Sequence, residues 1–179
     1  FEQRGELRLA GDHLAAGKRI LGLLDAGVSV AVCSNAGYPG VSDPGFRIVS
    51  GAIEAGHDVI ALPGASAVHV ALVQSGLPTS SYVFKGFPPR KSGARRRFLA
   101  LERDLPHTLV LYESPFRIGA LLADAFAELG NRRAAVCIEL TKMFEDVRRG
   151  SLAELAGAFE NTKVKGEITM KVSQHKAFC

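Results

Sequence analysis

Apolar residues recur at helical spacing through residues 12–25, where Leu14, Leu21 and Leu24 share one face. The spacing predicts a helix, with Asp12 placed to cap it and Gly27 just past its end. The period then changes. "VSVAVC" (28–33) is a continuous, β-branched apolar run, the pattern of a strand buried on both faces. Phe46, Val49 and Ile53 mark a second helix stopped near Gly56, with Asp43 as a possible cap. "DVIAL" (58–62) reads as a second buried strand, and "PGAS" (63–66) turns into a third helix ended near Gly76. "LPT" (77–79) has the composition of a linker.

The same alternation continues to the end. Strands are expected at 82–86, 107–112, 134–140 and 167–172, and helices at about 94–104, 115–129 and 151–160. Such alternation predicts α/β layers. Before residue 77 there are three expected helices and two expected strands, and two strands are too small a sheet to carry three helices. The expectation is therefore two α/β domains, 1–76 and 77–179. The first lacks its opening strands and the second is complete.

Composition adds little to this picture. Of 179 residues, 47% are hydrophobic and 22% charged, which is ordinary for a soluble globular chain. No apolar run approaches the ~20 residues of a membrane span, and residues 1–10 do not read as a signal peptide. Cys33, Cys137 and Cys179 are odd in number and far apart, and the histidines lack metal-ligand spacing. A reducing cytoplasm and no bound metal are the expectation. A net charge of +4 admits a polyanionic partner without requiring one.

The candidate chemistry lies in the loops. In open α/β sheets ligands bind beyond the carboxyl ends of strands. Three unusual segments leave such ends: 34–44, 63–66 and 113–117. Gly37 and Gly40 allow close backbone approach to a ligand such as adenosine, although the segment also reads as an ordinary connection. "PPRKSGARRR" (88–97) gathers Arg90, Lys91, Arg95, Arg96 and Arg97, enough charge to neutralise several phosphates or simply to solvate a helix. "ELTKMFED" (139–146) brings Glu139, Lys142 and Glu145 beside a strand end, as substrate-orienting groups or as structural ion pairs. "KGE" (165–167) opens the last strand with Gly166 in a turn. There is no GxGxxG fingerprint, Walker A sequence or GxSxG elbow.

In their order, "SNAGYPGVSDPG", "LPGASA", "SGLPT", "KGFPPRK", "LVLYESPFRI", "ELTK", "RRGSLAEL" and "KGE" resemble the tetrapyrrole methylase-like superfamily over about residues 18–172. Within it they look like the branch that methylates ribosomal RNA. The resemblance implies a two-domain fold with S-adenosylmethionine (SAM) between the domains, and usually a homodimer. The implied reaction is methylation of the ribose 2′-hydroxyl of a cytidine in 16S rRNA of the small ribosomal subunit. It implies SAM contacts from Ala36, Gly37, Tyr38 and Pro39, from Ser66 and Ala67, from Tyr112 and Glu113, and from Gly166 and Glu167. RNA contacts would come from Arg90, Lys91, Arg95, Arg96 and Arg97.

The chain departs from the family pattern at Asn35, where Asp is usual, and at Tyr38, where Thr is usual. A GNLGD-type loop with its opening strand, and an EDTR-type segment, have no counterpart here. The ribose hydroxyl is a weak acid, so a base or a nearby cation is expected to assist. Glu113, Lys142 and Glu145 are the candidates. Two alternatives stay open: a relative that methylates a tetrapyrrole or another small molecule, and an inactive RNA- or nucleotide-binding fragment.

Overall fold

The structure is a computed structural model and describes residues 13–43 and 45–174. Asp12 and Pro44 therefore lie outside the described residues. The chain divides into two compact units at Ala65–Ser66.

The first unit holds α1 (His13–Asp25) and α2 (Phe46–Glu54). They pack through Ile20, Ile48 and Ala52, all buried. Leu21 closes over Gly51, where an added Cβ would lie 3.5 Å from its Cδ1. His57 Nε2 meets Asp25 Oδ1 at 2.9 Å and ties the segment after α2 to the end of α1. The expected cap by Asp43 is not formed, since Gly45 occupies the N-cap position and no side chain caps the helix.

Two expected strands need correction. Residues 28–33 and 58–62 form no ladder among the described residues. Val28, Val59, Ile60 and Leu62 stand exposed. The apolar, β-branched signal is real, but strand propensity expresses itself only where a neighbour accepts the backbone bonds and covers the side chains.

The second unit is a three-layer α/β structure. Its elements are α3 (Ala67–Gln74), β1 (Tyr82–Phe84), α4 (Ser92–Ala100), β2 (Thr108–Glu113), α5 (Ile118–Leu129), β3 (Arg133–Ile138), β4 (Asp146–Ser151), α6 (Leu152–Phe159) and β5 (Ile168–Val172). The strands make one sheet in the order β1-β2-β5-β3-β4. β1 and β2 are parallel, and the remaining pairs are antiparallel. The α4, α5 and α6 side carries the main core, including Leu99, Leu111, Leu121, Leu122, Val136, Leu152 and Met170. On the opposite face Val68 and Leu72 of α3 pack on Val110. A reciprocal capping box between Ser151 and Glu154 starts α6.

α3 thus belongs with this sheet, so the structural division falls before it, whereas the boundary expected from sequence falls after it. What fastens it is a buried lysine. Lys171, on central β5, is fully buried. Its Nζ donates to Leu72 O at 3.1 Å and to Ser75 Oγ at 2.7 Å. Arg149 of β4 donates to Gln74 O at 2.5 and 3.1 Å. Two cations therefore satisfy carbonyls of the last turn of α3, which an isolated helix leaves unpaired.

Burial pushes the Lys171 ammonium down to about 8, with the nearby Cys137 acting in the opposite direction. Burial likewise pushes the Cys137 thiol up to about 11, an effect Lys171 and Arg149 moderate. Above pH 8 the folded chain has released the lysine proton that the unfolded chain still holds, so stability rises with pH. From about pH 9 the unfolded thiol ionises while the folded one stays protonated, which opposes the rise. Urea unfolding is expected to show a gain of about 1 kcal/mol between pH 8 and 9 that flattens above it. Lys171→Met is expected to abolish that gain.

Candidate functional site

β2 and β3 both run antiparallel to β5, and β1 runs parallel to β2. The carboxyl ends of β1, β2 and β3 therefore share one end of the sheet with the start of β5. The register makes the row explicit: Glu113 pairs with Ile168, Ile168 with Ile138, and Ile138 with Asp146. Within the second unit, "ESPFR", "ELTK" and "KGE" are brought to one place by strand direction alone.

The tightest feature there joins Glu139 to Glu167. Glu139 N donates to Glu167 O at 2.9 Å, and Glu167 N returns a bond to Glu139 Oε1 at 2.7 Å. Glu139 holds φ 49° and Thr141 φ 64°, both in the left-handed region that non-glycine residues seldom occupy. Lys142 Nζ reaches Glu139 Oε1 at 3.0 Å and Glu167 Oε2 at 3.1 Å. The bond from Glu167 N, then that from Lys142, holds the Glu139 carboxyl below its usual range. The two carboxylates in turn hold Lys142 above its own. Gly166, at φ 95°, makes this approach possible, because an added Cβ would lie 2.3 Å from Glu139 Cγ.

Glu145 lies on the same loop. Its Oε2 accepts from Thr141 N at 2.5 Å and its Oε1 from Gln74 Nε2 at 2.9 Å. Those bonds, Thr141 first, hold it below the usual carboxylate range.

Tyr112 and Glu113, adjacent in sequence, leave β2 on opposite faces. The Tyr112 ring lies 4.8 Å from Phe84 and 5.6 Å from Phe87, on the α3 side. Glu113 points to the other face and is buried. Its Oε1 accepts from Ser114 N at 2.7 Å and from Arg117 Nε at 2.7 Å. Its Oε2 has no partner among the described residues. Arg117 is the residue the sequence reading passed over here. Its position four after Glu113 was the available signal.

In the first unit, Gly37 and Gly40 have φ 72° and 79°, with open space where a Cβ would stand. Ser34 Oγ donates to Ala36 O and Gly37 O at 3.2 Å each and holds the turn. The Tyr38 ring lies over Gly64, 3.7 Å from where its Cβ would be, so the bulky residue at 38 packs on the 63–65 turn. Ser66 and Ala67 begin α3 in the second unit, with Ser66 as its N-cap residue.

The basic cluster separates into two kinds of residue. Arg95 corrects the expectation of a phosphate-binding surface group, because it is buried. It pairs with Asp124 at 2.6 Å and donates to Arg90 O at 3.1 Å, fastening α4 to α5. Arg96 is exposed but paired with Glu128 at 2.6 Å. Arg90, Lys91 and Arg97 are exposed, with no side-chain ion pair among the described residues.

A family profile described as Tetrapyrrole (Corrin/Porphyrin) Methylases matches residues 2–156, and the chain belongs to that family. A Mycobacterium tuberculosis (strain ATCC 25618 / H37Rv) protein named Ribosomal RNA small subunit methyltransferase I is 51% identical over 159 residues, covering 87% of this chain and 55% of that protein. A protein of the same name from Streptococcus pyogenes serotype M3 (strain ATCC BAA-595 / MGAS315) is 43% identical over 154 residues, covering 86% of this chain and 54% of that protein. The chain thus spans about half the length of the curated relatives it matches. Among solved structures, the methyltransferase CobJ aligns with a TM-score of 0.68 at 17% identity, over 96% of this chain and 78% of that one. A uroporphyrin-III C-methyl transferase from Thermus thermophilus, complexed with S-adenyl homocysteine, aligns at 0.60 and 18%, also over 96% and 78%. These likenesses show the tetrapyrrole methylase fold.

Three substitutions test the geometry. Gly166→Ala is expected to cost about 2–4 kcal/mol in urea unfolding, since it adds backbone strain to a clash with Glu139. Arg95→Ala is expected to cost about 3 kcal/mol by leaving Asp124 unpaired, whereas Arg97→Ala is expected to stay within about 0.5 kcal/mol.

Proposed function

We propose that this chain is part of an enzyme that transfers a methyl group from SAM to the ribose 2′-hydroxyl of a cytidine in 16S rRNA. The observation that carries this reading is the 51% identity, over most of the chain, to a protein named Ribosomal RNA small subunit methyltransferase I. A homodimer acting on the small ribosomal subunit in the cytoplasm completes the proposal.

Bound SAM supplies a methyl group on a cationic sulfur, which departs as a neutral thioether. The protein's task is alignment of the attacking oxygen with that methyl group. The open backbone at Gly37 and Gly40 suits a ligand gripped by main-chain groups. We assign SAM contacts to Ala36, Gly37, Tyr38 and Pro39 in the first unit. In the second unit we assign them to Ser66, Ala67, Tyr112, Glu113, Gly166 and Glu167. Lys142, kept protonated by two carboxylates, serves as a cation that stabilises developing negative charge on the ribose oxygen. One of Glu113 and Glu145 takes the single hydroxyl proton in this reading, and both are pinned by hydrogen bonds that fix their orientation. Arg90, Lys91 and Arg97 take RNA phosphates.

The test uses the full-length protein with SAM and assembled small subunits, and maps the 2′-O-methyl group by mass spectrometry. One modified cytidine in 16S rRNA is the expected result. Turnover of a tetrapyrrole with no ribosomal product would overturn it. Gly37→Asn keeps a residue that tolerates positive φ but places a side chain in the open space. It is expected to weaken S-adenosylhomocysteine binding by about ten-fold in calorimetry, or 1.4 kcal/mol.

A further inference from the structure

Four large apolar side chains stand out in the loops at the sheet end described above. Phe87 follows β1 and is 56% exposed, and Phe116 follows β2 and is 94% exposed. Met143 and Phe144 follow β3 at 89% and 78%. None of the four is needed to close the core of the second unit. The charges around them differ. β1 and β2 are neighbours, so the loops bearing Phe87 and Phe116 are adjacent. Three and four residues after Phe87 come Arg90 and Lys91, exposed and with no side-chain ion pair among the described residues. The β3 loop instead carries Glu139, Glu145 and Asp146 and faces Glu167, against Lys142 and Arg148.

We infer that Phe87 and Phe116 are stacking platforms for unpaired bases of a single-stranded RNA segment whose phosphates lie on Arg90 and Lys91. The inference rests on the ribosomal RNA reading and names the surface by which that substrate is held. Single-stranded RNA is recognised by stacking splayed bases on aromatic rings beside a basic track. The β1–β2 half of the rim supplies both parts. Its β3 half sets apolar side chains among carboxylates that already occupy the cations Lys142 and Arg148. Phe87 is held in place from below, since its ring rests 5.6 Å from that of Tyr112. Phe116 is aimed by its loop: its N–H donates to Ser114 Oγ at 3.3 Å, and Arg117 N closes the turn onto Ser114 O at 3.0 Å. One ring is thus braced and the other projects, which suits bases arriving from a flexible strand.

The test uses the full-length protein and a labelled, cytidine-containing single-stranded RNA of about ten nucleotides, with the same sequence in a duplex as comparison. Phe87→Ala and Phe116→Ala are each expected to weaken single-strand binding by roughly ten-fold, within the range for loss of one stacked base. The slope of affinity against salt is expected to stay the same, because no phosphate contact is lost. Phe116→Trp is expected to restore affinity. Arg90→Gln with Lys91→Gln is expected to lower the salt slope instead. Phe144→Ala serves as the comparison and is expected to change single-strand affinity less than two-fold. Unchanged affinity in both Phe→Ala variants, or an equal loss in Phe144→Ala, would overturn the inference. So would a fall in oligomer mass by light scattering in Phe116→Ala, which would make the face a contact between protein copies. Methylation of small subunits by the unaltered protein is read in parallel. Its absence defeats the ribosomal reading, whereas normal methylation with indifferent Phe variants defeats only this surface.

Discussion

The reciprocal bonding of Glu139 and Glu167 is the constraint on which the second unit's candidate site depends. One bond joins two backbones and the other joins a backbone N–H to a carboxylate. Together they carry the β3–β5 pairing one step past the last ladder residues and force Glu139 into positive φ. That conformation costs on the order of 1–3 kcal/mol. It persists because Gly166 offers no side chain and Lys142 neutralises both carboxylates. With the turn so fixed, Glu145 falls within reach of Gln74, and α3 is tied to the loop after β3 as well as to the sheet.

The rest of the second unit follows from where β5 runs. It is buried along its whole length and lies between β2 and β3. Its direction decides that three loops from distant parts of the sequence meet at one end. Its one charged side chain, Lys171, decides where α3 ends. Burying an ammonium is costly unless its protons are satisfied. Here the helix terminus provides acceptors that would otherwise lack donors, so each group offsets part of the other's cost.

Most of the second unit was legible because its signals are local. The strands at 107–112 and 134–140 are apolar runs that need no distant partner to be recognised. β4 was not legible: "DVRRGS" is an edge strand with one neighbour and few apolar residues. Residues 28–33 and 58–62 carried the strand signal without a ladder to express it. Arg95 looked like its neighbours Arg96 and Arg97, and its partner Asp124 lies on another helix, so only the α4–α5 packing separates structural from exposed arginine. The site followed the same rule. Motifs named loops that strand direction brings to one end of the sheet, but strand alternation parted Tyr112 from Glu113, and the φ values of Glu139 and Thr141 have no sequence signature.

Amide hydrogen exchange at Glu139 and Glu167 tests the clamp most directly. Both amides are expected to exchange as slowly as those of the β5 ladder. Glu139→Ala is expected to release the Glu167 amide alone, because only that bond uses the carboxylate. Exchange of both amides in the unaltered protein at the rate of open loops would contradict the account.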